Sequence, residues 1–179
     1  VTDHGQNLQA FSAFVDILGL EPTDKYLIIN PFFHSFGYKD GWLATMNACA
    51  TAFPQAIFDV PTVIQQIERH GINVMPGPPT LFQSLLDHED FDREKLKTLS
   101  KATTGAAVIP TQLIEDMWQK LGIDTVITAY GLSETCGLVT MCRQGDDAET
   151  IATTSGRSIP GIEVAIFDDQ GNALPAMEP

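Results

Sequence analysis

Three short stretches of this chain combine side chains able to do chemistry. The sharpest is Ala129 to Glu134, where Tyr130, Gly131, Ser133 and Glu134 follow directly on a strand-type run, Thr125 to Ala129. An aromatic face, a hydroxyl and a carboxylate so close together suit a magnesium nucleotide: a ring to stack on, a donor for a phosphate oxygen and a ligand for a hard cation. The second stretch, Asn30 to Gly37, sets His34 among Phe32, Phe33 and Phe36. That is the composition of a pocket with an apolar wall and one polar group, although a packed histidine bonded to backbone has the same signature. The third, Thr103 to Val108, is a small-residue turn where backbone could approach a flat ligand; an ordinary strand-to-helix turn reads the same way. His4, His70 and His88 lie in or at the ends of polar helical stretches and read as solvated or capping residues. Asp87, Glu89, Asp90 and Asp92 read as a solvated acidic loop, because a carboxylate pair needs convergent geometry before it can act as acid and base.

The elements that must position these residues alternate between strand and helix, the pattern of an α/β fold with a mostly parallel sheet flanked by helices. Leu8, Phe11, Phe14, Val15 and Leu18 recur at helical spacing and Gly19 stops that helix. Tyr26 to Ile29 reads as a buried strand, Gly41 to Cys49 as a helix and Thr51 to Phe53 as the next strand. Asp59 caps a helix with Val60, Val63, Ile64 and Ile67 inward and Gly71 as its left-handed terminator. The unit then repeats: strand Asn73 to Met75 with helix Thr80 to Asp87, and strand Leu99 to Thr103 with a helix opened by Pro110 and ended by Gly122. In open sheets of this kind, ligands gather beyond the carboxyl ends of the strands, and all three stretches occupy that position. From Gly156 the texture changes. Ile162, Val164 and Ile166 alternate and Asp168 to Asn172 is a turn, which predicts a hairpin and a unit boundary near residue 155, dividing an α/β part (1–155) from the start of a β-rich part (156–179).

Composition limits the partners. Ten basic against 23 acidic residues give a formal charge of −13, which repels nucleic acid and anionic lipid but leaves room for an anionic small ligand neutralised locally. Cys49, Cys136 and Cys142 show no paired spacing, so a reducing, cytoplasmic setting without disulfides or zinc is expected. The most apolar stretch, Gly41 to Phe58, is interrupted by Asn47 and Pro54 and reads as no transmembrane segment.

Together the motifs resemble those of the adenylate-forming, AMP-binding superfamily of acyl-CoA synthetases, luciferases and peptide-synthetase adenylation domains. Pro31 to Gly37 resembles its P-x-F-H-x-x-G core, Tyr130 to Glu134 its Y-G-x-T/S-E segment, and Gly156 to Gly161 its G-R-P/S-x-P-G lead into a β-rich subdomain. The wording of Asn30 to Lys39, Pro76 to His88 and Thr140 to Arg143 resembles actinobacterial acyl-CoA ligases of steroid-ring catabolism, with a fatty acid as the rival substrate. The resemblance covers essentially all of this chain but only part of such an enzyme.

The resemblance implies a carboxylate as substrate, with ATP, Mg2+ and coenzyme A, and an acyl-adenylate that becomes a CoA thioester. Tyr130 would stack on adenine with Gly105, Ala106 and Ala107 opposite and Gly131 beside it; Ser133 would contact the α-phosphate and Glu134 would hold Mg2+. His34, Ser133 and Glu134 would be the catalytic set, and Phe33, His34, Phe36, Gly131, Cys136 and Gly137 would line the acyl site. The sequence departs from the family wording at Ala107, often Pro, and at Thr128, often Asn or Gln. A phosphate loop before Val1 and a carboxyl-terminal domain carrying a lysine are further expectations, so that the 179 residues alone would be an inactive fragment prone to self-associate through cut edges. A standalone binding module and a peptide-synthetase adenylation domain are the alternatives.

Overall fold

Helix α1, His4–Leu18, begins at a reciprocal cap: Asp3 Oδ1 accepts from the Gln6 amide at 2.8 Å, and the Asp3 amide donates to Gln6 Oε1 at 3.0 Å. It ends at Gly19, whose φ of 66° suits a residue without a Cβ. Phe11, Phe14 and Leu18 are buried as the spacing predicts. Leu8 is not; it is half exposed and lines a surface hollow with Tyr38, Trp42 and Met46. The computed structural model describes residues 2–175.

Seven strands follow: β1 Lys25–Ile28, β2 Thr51–Pro54, β3 Val74–Pro76, β4 Lys101–Thr104, β5 Thr125–Tyr130, β6 Thr140–Met141 and β7 Arg157–Ser158. They form one sheet in the order β2-β1-β3-β4-β5-β6-β7. The first five are parallel, with Lys25 opposite Thr51, Val74 opposite Lys101 and Lys101 opposite Thr125. β6 and β7 join antiparallel. Successive residues of a strand point to opposite faces, so the unbroken burial of Tyr26 to Ile28, Val74 to Pro76 and Ala102 to Thr104 means both faces are covered. The strand order reverses direction at β1, which places a crevice at the carboxyl ends of the central strands.

The helices follow from their caps. α3, Val60–His70, starts where Asp59 Oδ2 accepts from the Thr62 amide and hydroxyl at 3.0 and 2.6 Å, and stops at Gly71 with φ 63°. α2, Ala44–Asn47, is entered through a π-helical segment, Phe36–Leu43. The helix expected from Gly41 therefore starts earlier, and the reason is backbone proximity. A Cβ on Gly37 would lie 2.2 Å from the Asn30 carbonyl oxygen, and one on Gly41 2.7 Å from Ile28 Cγ2, so bare backbone rests on the end of β1. α4 (Pro79–Leu86) buries Leu81, Phe82 and Leu85. Two short helices were not anticipated: α5 (Arg93–Leu96), capped by Asp92, and α7 (Ala148–Thr153), capped by Asp147. Between them α6 (Thr111–Asp116) continues through π-helical Met117–Leu121 to Gly122. α1 packs on the π-helical segment and α2, whereas α6 packs on α4 and α7.

The amino ends of β1, β3 and β4 are bolted by Asp24. Its carboxylate accepts from Lys101 Nζ at 2.7 Å, Asn73 Nδ2 at 2.7 Å and the Glu21 amide at 2.8 Å. Lys101 also donates to the Gly19 carbonyl, and Asn73 Oδ1 accepts from the Lys25 amide. At the other end of the sheet β7 is held by contact and charge. A Cβ on Gly156 would sit 2.1 Å from the Met141 carbonyl oxygen, Arg157 pairs with Asp146 at 2.8 Å, and Arg143 donates to the Ser158 carbonyl at 3.0 Å. Beyond it the hairpin turn is present: Asp168 accepts from the amides of Gln170 and Asn172, and Phe167 bridges Ala173. The alternating run Ile162, Val164 and Ile166 forms no extended strand among the described residues. Ile162 packs partly on the core, but Val164 and Ile166 are exposed, so among the described residues most of this apolar face lacks cover to fix a register.

Candidate functional site

A cleft of about 130 Å³ opens at the carboxyl ends of β1, β4 and β5. After β1, His34, Ser35 and Phe36 form one side; just past β4, Gly105 and Ala106 form another; at the end of β5, Tyr130 and Gly131 complete the rim, with Gly137 close by. Residues from all three sequence stretches therefore meet there.

His34 is fixed by a tight turn. Its amide donates to the Pro31 carbonyl at 3.0 Å, and its Nδ1 accepts from the Phe36 amide at 3.1 Å. An Nδ1 that accepts leaves Nε2 as the ring's donor nitrogen. Tyr130 is 45% exposed and offers a ring face, while its carbonyl accepts from the Val139 amide at 2.8 Å. Gly131 is required by close approach, since a Cβ there would lie 2.2 Å from the Gly137 carbonyl oxygen. Ala106 sits at φ 62°, in the left-handed region that a side chain disfavours.

Other residues singled out in the sequence lie elsewhere. Phe33 is 93% exposed and stands outside the cleft, as does Ala107. Ser133 and Glu134 are exposed on a 3-10 turn, Ser133–Thr135, that turns the chain away. Thr135 Oγ1 braces this turn by accepting from the Leu132 amide at 3.0 Å, and Cys136 at φ 63° reverses it. Glu134 and buried Cys136 consequently line a second cavity of about 460 Å³ with Gln6, Gln9 and Gly161. No group of three or more His, Cys, Asp or Glu side chains is placed to hold a metal among the described residues.

The structure also adds residues that the sequence reading passed over. Asp40, on the π-helical segment, and Thr103 and Thr104, at the end of β4, line the cleft and are all buried. Burial pushes the Asp40 carboxyl well above the usual carboxylate range, an effect that its own backbone amide and Lys39 only partly offset. Tyr26 lies behind it, fully buried. Burial, and then the neighbouring Asp40, push its phenol up; the Thr103 hydroxyl beside it, outside hydrogen-bond geometry, opposes this weakly. An aspartate next to Lys39 in a stretch of glycines and large side chains, Gly37 to Leu43, was the available signal.

A family profile described as AMP-binding enzyme matches residues 1–179. This chain belongs to the AMP-binding enzyme family. It is 48% identical over 171 residues to a Rhodococcus jostii protein named 3-[(3aS,4S,7aS)-7a-methyl-1,5-dioxo-octahydro-1H-inden-4-yl]propanoyl:CoA ligase, covering 96% of this chain and 33% of the relative. A Mycobacterium tuberculosis protein of the same name is 50% identical over 169 residues, covering 93% of this chain and 33% of the relative. Among solved structures, ATP-bound MatB from Rhodopseudomonas palustris superposes with a TM-score of 0.83 at 22% identity, covering 97% of this chain and 34% of that one. The chain spans about a third of the length of the curated relatives it matches. Within the AMP-binding family, the sheet and its flanking helices are those of the adenylate-forming fold. Among the described residues, no helix is long and apolar enough to cross a membrane.

Proposed function

We propose that this chain supplies the adenine-facing and acyl-facing walls of an acid-thiol ligase that activates a ring-bearing propanoate with ATP and passes it to coenzyme A. The observation that carries the reading is the meeting of His34, Gly105, Ala106, Tyr130 and Gly131 at one cleft, in a chain about half identical to two ligases named for a dioxo-octahydroindenyl propanoate. The cleft is smaller than the roughly 300–1,000 Å³ of a complete small-molecule site, which supports a shared pocket with further walls from the rest of the enzyme. In this reading residues 1–155 carry the site, and the chain from Gly156 leads out of the sheet into a β-rich unit.

The chemistry has two steps. A carboxylate oxygen of the acid bonds to the α-phosphorus of ATP as the bond to pyrophosphate breaks; the thiol sulfur of coenzyme A then bonds to the acyl carbon, loses its proton and releases AMP. Tyr130 stacks on the adenine ring while Gly105 and Ala106 face it without side-chain obstruction. Ser133 donates to an α-phosphate oxygen from its exposed turn. Glu134 offers one exposed carboxylate that would hold Mg2+, and the ion would offset negative charge on the phosphates. His34, with Nε2 as its donor, stands between the acyl side and the thiol's approach. Three free thiols, at Cys49, Cys136 and Cys142, fit a reducing cytoplasm.

The test is acid-dependent release of pyrophosphate and AMP by the full-length protein containing this chain, offered the bicyclic keto-propanoate and straight-chain fatty acids. Thioester formation with the bicyclic acid is expected, and Tyr130→Ala should raise the KM for ATP by about tenfold or more, the loss of one base stack. Absence of acid-dependent pyrophosphate release with every acid would end the proposal.

A further inference from the structure

Thioester formation releases a proton from the thiol, and the cleft walls decide where that proton can go. His34 stands nearest to hand in the ligase reading, but its neutral ring has no open lone pair. Nδ1 accepts from the Phe36 amide at 3.1 Å, so the ring proton is on Nε2. A second proton could enter only at Nδ1, breaking that bond. Tyr130 is engaged on the adenine ring, and Glu134 faces the other cavity. Among the residues that line the cleft, the one carboxyl is that of Asp40.

The fold carries Asp40 to this position. It stands on the π-helical segment Phe36–Leu43, is 8% exposed, and forms no ion pair among the described residues. Gly37 and Gly41 let the bare backbone of that segment rest against Asn30 and Ile28 at the end of β1. The titratable or charged groups around Asp40 are Tyr26 on β1 and Lys39 on its own segment; α1 and α2, which also pack on the segment, add none that shifts it. Burial holds the carboxyl well above the usual range, and a carboxylate so placed binds a proton more firmly than one on the surface, which makes it the better base toward a thiol. A buried carboxylate without a cationic partner is unfavourable for the fold alone, and groups of that kind concentrate at functional sites.

We propose that Asp40 accepts the thiol proton in the thioester step. The assignment rests on the acyl-ligase reading for its substrates. The sulfur–hydrogen bond breaks as sulfur bonds to the acyl carbon, AMP leaves with the electron pair of its bond to that carbon, and the proton moves to an oxygen of ionised Asp40, from which it returns to solvent.

The test uses single turnovers of the full-length protein. Acyl-adenylate formed from the bicyclic acid and ATP is offered coenzyme A or hydroxylamine, whose nitrogen attacks without first losing a proton. Asp40→Asn should slow thioester formation by about a hundredfold or more, the scale of a lost general base, with any loss in hydroxamate formation or pyrophosphate release at least about tenfold smaller. Stability should move the other way. A carboxyl whose folded pKa is raised contributes stability below its unfolded pKa and loses it as pH rises through the folded value. Asp40→Asn, nearly isosteric and never charged, should therefore gain on the parent in thermal melts as pH rises from acid to neutral. Thioester and hydroxamate formation slowed alike, or thioester formation not slowed at all, would overturn the assignment. A variant that melts well below the parent or does not fold would overturn it too, by making Asp40 a structural residue. Absence of acid-dependent pyrophosphate release in the parent would refute the ligase reading and the assignment with it, whereas release in the parent without that split in Asp40→Asn would refute the assignment alone.

Discussion

Replacing Asp24 by alanine should remove the bolt that ties β1, β3 and β4 together at the end of the sheet away from the cleft. The carboxylate is buried and accepts three hydrogen bonds, from Lys101, Asn73 and the Glu21 amide, at 2.7 to 2.8 Å. Among the described residues, removing it leaves the Lys101 ammonium, 19% exposed, with only the Gly19 carbonyl as partner, and leaves the Asn73 amide without an acceptor. Breaking a buried pair from one side costs about 3–5 kcal/mol. Partial exposure of the lysine and its surviving bond place this case at the lower end, about 3 kcal/mol. At roughly 2–4 °C per kcal/mol for a protein of this size, the melting temperature should fall by about 6–12 °C. Burial alone would raise the Asp24 pKa, but the Lys101, Asn73 and Glu21 hydrogen bonds together outweigh it and hold the carboxyl below the ordinary value. A depressed carboxylate contributes stability above its unfolded pKa of about 3.9 and loses it as pH falls through the folded value. Thermal melts of parent and variant from neutral pH into that acid range should therefore converge as pH falls. A loss below about 1 kcal/mol at neutral pH, or melting curves that stay parallel through the acid range, would refute the reasoning.

Two further outcomes follow from local geometry. Gly131→Ala should lower stability by about 1–3 kcal/mol and shift the Tyr130 turn, because its Cβ would meet the Gly137 carbonyl oxygen at 2.2 Å and the obstacle is backbone; an unchanged denaturation midpoint would contradict that close approach. Asp59→Ala should cost about 1 kcal/mol in chemical denaturation through loss of the α3 cap, and hydrogen exchange should quicken first in the opening turn of that helix.

Helix α3 was fully legible in the sequence, since an aspartate that caps and a glycine that adopts positive φ act within a few residues of where they stand. The same locality explains why Gly19 and Gly122 were read correctly as terminators. The π-helical entry to α2 was not legible, because it depends on Gly37 and Gly41 resting against the end of β1, a contact between elements. α5 was hidden for another reason: Asp92 looked like one more solvated acid in a charged loop, yet it caps four residues whose Leu96 is buried. The alternation of Ile162, Val164 and Ile166 predicted a paired strand, but alternation specifies a strand only when a partner buries one face.

What the sequence determined by itself was the set of local commitments: caps, terminators, the strand-helix alternation, and the motifs that carry His34, Gly105 and Tyr130 to the ends of strands. Tertiary structure decided what those commitments enclose. Strand order placed β1 beside β3 and β4 beside β5, bringing Asp40 and Tyr26 to Thr103 and Thr104 across large sequence separations. The turn at Cys136 sent Glu134 toward a different cavity from Tyr130. Periodicity reports which face of an element is apolar, but not which neighbour it meets; burial, and the protonation that burial imposes on Asp40, arise only when the elements are stacked.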